Sequence, residues 1–338
     1  MPKGRKKAAR AWGYWSEQKL SMLADYLPAF TRASSQKAPN TLYLDLFAGG
    51  DRNLSRTTGE EISGSPRVAL NTVPNFSKVV LFELQNQAAR LEADLTADYP
   101  KRDLAVVPGD CNEQVGPVLT SLRRQGWDWS PTFALIDQQA AEVRWSTLVQ
   151  LSTFKHRKNR FKAELWLLFA PSMLPRALGI DDHAAVDRFA QRITDMYGTD
   201  AWQVAYEDRC RGMLTAAEFR NELLNLMRWR LERVLGYSVT HSFEMKNTRG
   251  GPLYNMVFAT DNGTGEKIMK YIYGKAAERR PLMQAEAAAR LQEEKEQETG
   301  ALGLFPPLPR AVKPDQLYSH QPPTPPYGVK PGGVVYGF

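Results

Sequence analysis

The sequence predicts an α/β fold with a doubly wound, mostly parallel sheet that ends in a β-hairpin. Two observations lead to this prediction: five strand-like apolar runs alternate with helical segments, and two more strand-like runs follow them. Strands that alternate with helices at this spacing form right-handed βαβ units, which build parallel sheets. The 338 residues suffice for one large core, so a single α/β domain with additions is the simplest interpretation.

The individual elements are predicted from the spacing of their apolar residues. A first helix is predicted after residue 12, because Trp15, Leu20, Leu23 and Leu27 recur at helical intervals. The first strand is predicted in TLYLDLF, since a mostly apolar run with aromatic residues is typical of a strand buried on both faces. The other predicted strands are KVVLFEL, DLAVVPGD, TFALID and AELWLLFA in the parallel sheet, and YSVTHSFEM and PLYNMVFAT in the hairpin.

The α/β domain is expected to span residues 12–275, with additions inside it and at both ends. The additions are a basic, disordered N-terminus at residues 1–11, a helical insert at residues 171–236, a charged helix at residues 276–299 and a proline-rich tail at residues 300–338. A proline-rich segment is expected to be extended and to lack a core of its own. The tail is therefore a linker, a solvated tail or a strap laid across the domain.

Basic residues are clustered in two parts of the sequence. The formal net charge is +7, five Lys or Arg lie within the first ten residues, and FKHRKNRFK at residues 154–162 forms the second cluster. Clustered cations attract polyanions through counterion release, so nucleic acid is a predicted partner. The residues expected to contact it are Lys155, Arg157, Lys158 and Arg160. A solvated surface without a binding role is the alternative.

The sequence does not indicate a membrane segment, a disulfide framework or a metal site. It has no run of about 18 uncharged apolar residues and no apolar segment behind its basic start. Cys111 and Cys210 are too few for a disulfide framework, which favours a reducing compartment. The histidines lack ligand spacing, and the acids of DDH at residues 181–183 are better explained as helix caps. We therefore expect a cytoplasmic protein without a metal ion.

Acidic residues stand at the ends of four successive predicted strands: Asp45, Glu83, Asp110 and Asp137. In an open parallel sheet, ligands bind beyond the carboxyl ends of the strands. A carboxylate after the second strand can accept both hydroxyls of a ribose, and one after the third can accept the exocyclic amine of adenine. The small residues Ala48, Gly49 and Gly50 let the backbone turn tightly against such a ligand. Since no G-x-G-x-x-G motif is present, the set predicts an adenosine-containing ligand other than a dinucleotide.

The order of these motifs resembles that of class I S-adenosylmethionine-dependent methyltransferases, and most closely the three-Cys-motif partner protein family. The similar pieces cover roughly residues 12–273 and are KLSMLADYLPAF, DLFAG, GSPRVAL, LFEL, GDCNE, LIDQQAAEVRWSTL, LWLLFAP and YNMVFATDNGTGEKIM. Their order is specific, whereas each piece alone is not. The resemblance implies a Rossmann domain of the class I methyltransferase type, S-adenosylmethionine as cofactor, and a separate partner protein with a three-cysteine motif.

The resemblance also implies roles for individual residues. Those implied to hold the cofactor are Asp45, Ala48, Gly49, Gly50, Glu83, Asp110 and Cys111. Within this set, Glu83 would hold the ribose, Asp110 and Cys111 would flank the adenine, and the turn after the first strand would surround the methionine part. Asp137 would face the methyl group, and Asp137 and Gln138 are the candidates for catalysis.

Two positions depart from the pattern of that family. Asp51 stands where the family has glycine, and Gln138 and Gln139 stand where it has a proline-containing turn. A carboxylate beside the cofactor carboxylate is unfavourable unless a cation intervenes, and Arg52 or Arg56 is expected to supply it. Two functions stay open. The chain is an S-adenosylmethionine-binding, methyltransferase-like protein that acts on or with nucleic acid, or a catalytically degenerate Rossmann protein that serves as a nucleic-acid- or protein-binding partner subunit.

Overall fold

The computed structural model describes residues 11–55, 58–158, 161–172, 183–299 and 318–328. The described strands are β1 (Ala11–Trp12), β2 (Leu42–Asp45), β3 (Arg52–Ser55), β4 (Glu61–Ser63), β5 (Lys78–Glu83), β6 (Leu104–Pro108), β7 (Thr132–Ile136), β8 (Glu164–Phe169), β9 (Val239–Lys246) and β10 (Pro252–Thr260). The described helices are α1 (Tyr14–Ser35), α2 (Ser65–Leu70), α3 (Gln85–Asp98), α4 (Cys111–Arg124), α5 (Trp145–Ser152), α6 (His183–Tyr197), α7 (Trp202–Cys210), α8 (Ala216–Arg233) and α9 (Gly263–Thr299). A 3₁₀ turn is formed by Trp127–Trp129.

A seven-stranded sheet forms the centre of the fold. Its strand order is β6-β5-β2-β7-β8-β10-β9. The first five strands in this order are parallel, and β10 runs antiparallel to both β8 and β9. The predicted fold class, a doubly wound and mostly parallel sheet that ends in a hairpin, is thereby confirmed.

Each face of the sheet carries its own apolar core, because neighbouring residues of a strand point to opposite faces. Tyr43 of β2 packs with residues of α1, α3 and α9 on one face. Leu42 and Leu44 pack with residues of α4, α5 and α8 on the other. All four residues of β2 are buried, in agreement with the prediction of a strand covered on both sides. The carboxyl ends of the parallel strands are thus held between two packed layers.

The helices of the predicted insert form part of one of these layers. Ile193 of α6, Trp202 of α7 and Leu223 of α8 belong to the same apolar core as Leu42. Thr215 is the N-cap of α8 and forms a capping box with Glu218. The side chain of Thr215 accepts the backbone N–H of Glu218, and the side chain of Glu218 accepts the backbone N–H of Thr215. The acids of the predicted DDH cap, Asp181 and Asp182, lie outside the described residues.

Two expectations about the ends of the domain need correction, and one alternative for the tail is supported. Ala11, expected to be disordered, lies in β1 and pairs in parallel with Leu54 of β3. The charged helix begins at Gly263 instead of residue 276, because Met269 and Tyr273 bury one side of its first turns in the core. Residues 318–328 of the proline-rich tail form a strap against the domain; its Tyr318 hydroxyl lies 2.6 Å from Nδ1 of the buried His241.

None of the helices in the described ranges is long and apolar enough to cross a membrane.

Candidate functional site

The carboxyl edge of the parallel sheet brings together the acids that the sequence predicts as a set. Asp45 and Glu83 are the last residues of β2 and β5, Asp110 is the N-cap of α4 after β6, and Asp137 follows β7. Because β6, β5, β2 and β7 are neighbours in this order, the acids form a row across four adjacent strand ends. We call this part of the molecule the carboxyl edge, and the opposite end of the strands the amino edge.

The turn after β2 approaches the end of β5 through its backbone. Ala48 N–H donates to the carbonyl of Phe82 at 3.0 Å, and Gly49 N–H donates to Oε2 of Glu83 at 2.5 Å. Gly49 has φ +62°, a conformation that side-chain-bearing residues rarely adopt. Oε1 of Glu83 accepts the N–H of Leu84 at 2.9 Å. An ionised carboxylate offers about four acceptor positions, so Glu83 retains acceptor capacity for a ligand hydroxyl.

Asp45 lies beneath this turn and is fully buried. Its carboxyl group accepts the N–H of Phe47 at 3.3 Å and the hydroxyl of Tyr43 at 3.2 Å. Burial raises the pKa of Asp45 to about 7; the nearby Asp137 adds to this rise, and a hydrogen bond from Ser65 opposes it. Asp45 therefore supports the turn from below.

Asp51 is neutralised by an arginine that the sequence analysis did not identify. Arg67 of α2 donates through Nε to Oδ2 of Asp51 at 2.7 Å, and its NH2 atom lies 2.6 Å from Oδ2 of Asp98. Arg52, the expected counter-charge, lies 3.7 Å from Asp51 and 2.8 Å from Asp98, whereas Arg56 is outside the described residues. Arg52 is thus a cation beside Asp51, as expected, and the buried Arg67 is a second and closer one. The sequence does contain an indication of this role of Arg67, because GSPRVAL places a single arginine within a short, otherwise apolar helix.

Asp110 and Cys111 lie where β6 turns into α4. Asp110 is exposed, and its Oδ1 accepts the N–H of Asn112 at 2.9 Å, as expected of an N-cap. Asn112 in turn accepts the N–H of Arg144 at 2.8 Å and thereby connects this turn to the segment after β7. Burial raises the pKa of the Cys111 thiol to about 12, so Cys111 is a neutral, packed side chain at this edge.

Asp137 forms an ion pair with Lys19, another residue that the sequence analysis did not identify. Lys19 lies on α1, and its Nζ contacts Oδ2 of Asp137. The two side chains are 8% and 17% exposed, so the pair is largely shielded from water. Only the packing of α1 over the sheet brings them together, because they are separated by 118 positions in the chain.

Gln138 points into the protein and organises the loop after β7. It is fully buried; its Oε1 accepts the N–H of Glu142 at 2.8 Å and of Val143 at 2.9 Å. Its Nε2 donates to the carbonyl of Leu168 at 3.1 Å. Gln139 contributes its N–H, which donates to Oε2 of Glu142 at 2.8 Å. The loop after β7 is thus closed by its own glutamine side chain.

The predicted nucleic-acid-binding segment lies at the amino edge. Lys155, Arg157 and Lys158 precede β8, and Arg160 is outside the described residues. Trp127 and Trp129 precede β7 and also lie at the amino edge. Trp145, at the start of α5, is buried in the core under the guanidinium of Arg230, 4.5 Å from the ring centre.

The described residues contain no group of three His, Cys, Asp or Glu side chains that could hold a metal ion.

Comparisons with known proteins bear on the fold. The chain matches no protein-family model, and no curated protein sequence matches it. Among solved structures, it is similar to the crystal structure of M. jannaschii TYW2 in complex with AdoMet, with a TM-score of 0.36 and 11% sequence identity. The match covers 74% of this chain and 76% of that chain. By its own strand order and terminal hairpin, the chain has a methyltransferase-like Rossmann fold.

Proposed function

We propose that this protein binds S-adenosylmethionine at the carboxyl edge and transfers its methyl group to a nucleic acid. The observation that carries the proposal is the convergence of Glu83, the turn at residues 46–50 and Asp110 on neighbouring strand ends. Glu83 is 9% exposed, and it retains acceptor capacity for the two hydroxyls of a ribose. Asp110 is exposed one strand farther along, where its second oxygen can accept an adenine amine. These residues fit the cofactor in type and order.

The remaining cofactor contacts follow the turn. Ala48, Gly49 and Gly50 present backbone without bulky side chains, so the methionine part can approach closely. Arg67 forms an ion pair with Asp51 and so compensates its negative charge. This pairing lowers the electrostatic cost of a cofactor carboxylate nearby. Cys111 supplies an apolar wall beside Asp110.

Asp137 is the proposed catalytic residue and Gln138 its positioning residue. When bound, the cofactor supplies a methyl group on a positively charged sulfur, and transfer requires a nucleophile held in line with it. Asp137 stands at the neighbouring strand end, where its carboxylate can orient or deprotonate an acceptor. Gln138 fixes the loop from inside, so that Asp137 keeps its direction.

The acceptor class and the setting are also proposed. Nucleic acid as the acceptor rests on the basic segment at residues 154–162, in which Arg157 and Lys158 are exposed, and on the net charge of +7. A partner with a three-cysteine motif rests on the sequence resemblance. The cytoplasm is proposed because two separate cysteines suit a reducing compartment.

A second candidate function is a catalytically degenerate partner subunit, and the Lys19–Asp137 ion pair favours it. One oxygen of the Asp137 carboxylate already contacts the ammonium of Lys19, so less of the carboxylate is available to a methyl acceptor. In this alternative the carboxyl edge retains cofactor binding or only inherited architecture, and function lies in the basic and proline-rich additions. Transfer of a labelled methyl group from S-adenosylmethionine to nucleic acid, lost in Asp137→Asn, would exclude it.

Calorimetric titration with S-adenosylmethionine and S-adenosylhomocysteine tests the proposed function. We expect wild-type protein to bind both, and Glu83→Gln to bind each roughly 10- to 100-fold more weakly. The physical reason is the loss of charge-assisted hydrogen bonds, about 1.5–3 kcal/mol. Glutamine keeps one oxygen, which can still accept the Gly49 N–H.

Glu92→Gln is the matched control, because Glu92 is an exposed glutamate on α3 away from the carboxyl edge. It should bind both compounds as the wild type does. Circular dichroism of each variant checks the fold. Folded wild-type protein that binds neither compound would contradict the proposed function.

A further inference from the structure

The amino edge carries an exposed aromatic stack. The ring of Trp129 is stacked on that of His156, with centroids 4.1 Å apart and an angle of 21° between the planes. Trp129 is 52% exposed, which is unusual for the largest apolar side chain. The two rings come from the segments that precede β7 and β8, which are paired neighbours in the sheet. We call this pair of rings the amino-edge platform.

Hydrogen bonds connect the two segments that carry the platform. The N–H of His156 donates to the carbonyl of Asp128 at 3.1 Å, and Nζ of Lys155 donates to the carbonyl of Ser130. Lys155 is partly buried, and burial lowers its pKa to about 8. Lys155 is therefore an anchor below the platform, and its role differs from the surface contact that the sequence suggests. The rings are held in place before any partner arrives.

Cations surround the platform. Arg157 and Lys158 follow His156 and are exposed. The end of α4 adds Arg123, which donates to the carbonyl of Phe154 at 3.0 Å, and the exposed Arg124. Lys78 lies 5.7 Å from the ring centre of Trp127, two residues before Trp129, and pairs with Asp103 at 2.6 Å. The segments that meet at this edge thus carry one exposed ring and several cations.

We propose that the amino-edge platform binds single-stranded nucleic acid, with a base stacked on Trp129 and phosphates held by Arg157, Lys158 and Arg124. Aromatic side chains stack on any base, and flanking cations follow the backbone of a single strand. A duplex shields its base faces inside the stack, so an exposed indole ring has no matching surface there. The role of the bound strand as methyl acceptor rests on the proposed function; the binding itself does not.

The position of the platform sets a condition on the substrate. β7 has five residues, and strands rise about 3.3 Å per residue, so the platform lies about 16 Å or more from Asp137. A base stacked on Trp129 is therefore not the base that is methylated. The platform holds a neighbouring part of the substrate, which must reach from the amino edge to the carboxyl edge.

Fluorescence anisotropy with a labelled 20-nucleotide single strand of mixed sequence tests the inference on the full-length protein. We expect Trp129→Ala to weaken binding roughly tenfold, because a lost base–aromatic stack has about this effect. Trp129→Phe should retain most of the affinity. Arg157→Ala combined with Lys158→Ala should weaken binding and reduce the slope of log affinity against log salt by about 1.4, since each phosphate contact to a single strand contributes about 0.7.

The matched control removes two exposed cations elsewhere, Lys275→Ala combined with Arg279→Ala on α9. This control variant should bind the single strand with the affinity and the salt slope of the wild-type protein. Titration with S-adenosylmethionine separates the two proposals, because Trp129→Ala should leave cofactor binding unchanged. Equal binding by folded Trp129→Ala and wild type would overturn the inference, as would binding to duplex alone or to no nucleic acid.

Discussion

A single lysine from the first helix changes the chemistry of the carboxyl edge at the residue scale. Asp45 and Asp137 are neighbours at this edge, and the charge of Asp137 adds to the rise in the pKa of Asp45 that burial causes. Lys19 contacts Asp137 and compensates one of the two charges. The net charge that a bound sulfonium would meet therefore depends on both members of the ion pair.

Substitutions in this pair should change the preference between S-adenosylmethionine, which carries a sulfonium charge, and S-adenosylhomocysteine, which does not. Asp137→Asn removes the carboxylate charge beside the ammonium of Lys19, so the ratio of the two affinities should shift toward S-adenosylhomocysteine. Lys19→Met should shift it in the opposite direction. The expected size is roughly 1–2 kcal/mol each, the interaction of two charges several ångströms apart in a partly buried site.

The double variant with Lys19→Met and Asp137→Asn is the control and should return the ratio toward that of the wild type. Titration calorimetry of all four proteins measures the ratios. An unchanged ratio in the three folded variants would place the ion pair away from the sulfonium.

The strap at residues 318–328 shows how a segment without a core of its own is held at the element scale. Arg228 of α8 donates to the carbonyl of Thr240 at 2.8 Å and to that of Gln321 at 2.6 Å. Asn225, one turn earlier on α8, exchanges two hydrogen bonds of 2.9 Å with the backbone of Thr324. These contacts fix an extended, proline-rich segment that makes no helix or strand.

Asn225→Ala should release the strap, because it removes both hydrogen bonds to Thr324. We expect the free energy of unfolding to fall by about 1–2 kcal/mol. Limited proteolysis with chymotrypsin should then cut faster after Tyr318 and Tyr327, as mass spectrometry of the fragments would show. Gln87→Ala, an exposed amide on α3, should leave the cleavage rate unchanged. The proposed role of Asn225 fails if both variants are cut equally slowly.

Buried carboxyl groups make the stability of the whole molecule depend on pH. Glu164 at the start of β8 accepts the hydroxyl of Tyr26 at 2.5 Å and that of Thr260 at 2.8 Å, and so joins α1, β8 and β10. Burial raises the pKa of Glu164 from 4.5 to about 7, against the opposing effect of these hydrogen bonds. The folded protein therefore binds a proton more tightly than the unfolded chain does.

Glu164→Gln should flatten the pH dependence of stability. Because the folded pKa is raised, the contribution of the protonated carboxyl group is fully present below about pH 4.5 and is lost as the pH rises through 7. Wild-type protein should lose up to roughly 3 kcal/mol of unfolding free energy by this group between pH 5 and pH 8. The glutamine variant should not show this loss of unfolding free energy from position 164, since its amide does not ionise.

Denaturant unfolding at pH 5 and pH 8 measures the difference, with Glu92→Gln as the exposed control. Equal slopes for the wild type and Glu164→Gln would contradict the raised pKa.

The sequence by itself determined the sheet and the row of acids at its carboxyl edge. These features are local: each apolar run is read within its own window, and an acid after a parallel strand lies at the carboxyl edge in any such fold. The amino-edge location of Trp129 is equally local, since WDW shortly precedes the strand TFALID.

The tertiary structure alone decided which charges meet. Lys19 reaches Asp137 across 118 positions, Arg67 reaches Asp51 across 16, and the strap meets α8 across 93 or more. Such pairs leave no periodic signal, because one side chain on a helix looks the same in sequence whether it faces water or a distant carboxylate. Packing of helices onto the sheet selects the partner. The chemistry of the carboxyl edge was thus predictable in kind from strand ends, whereas its charge balance depends on contacts made only after folding.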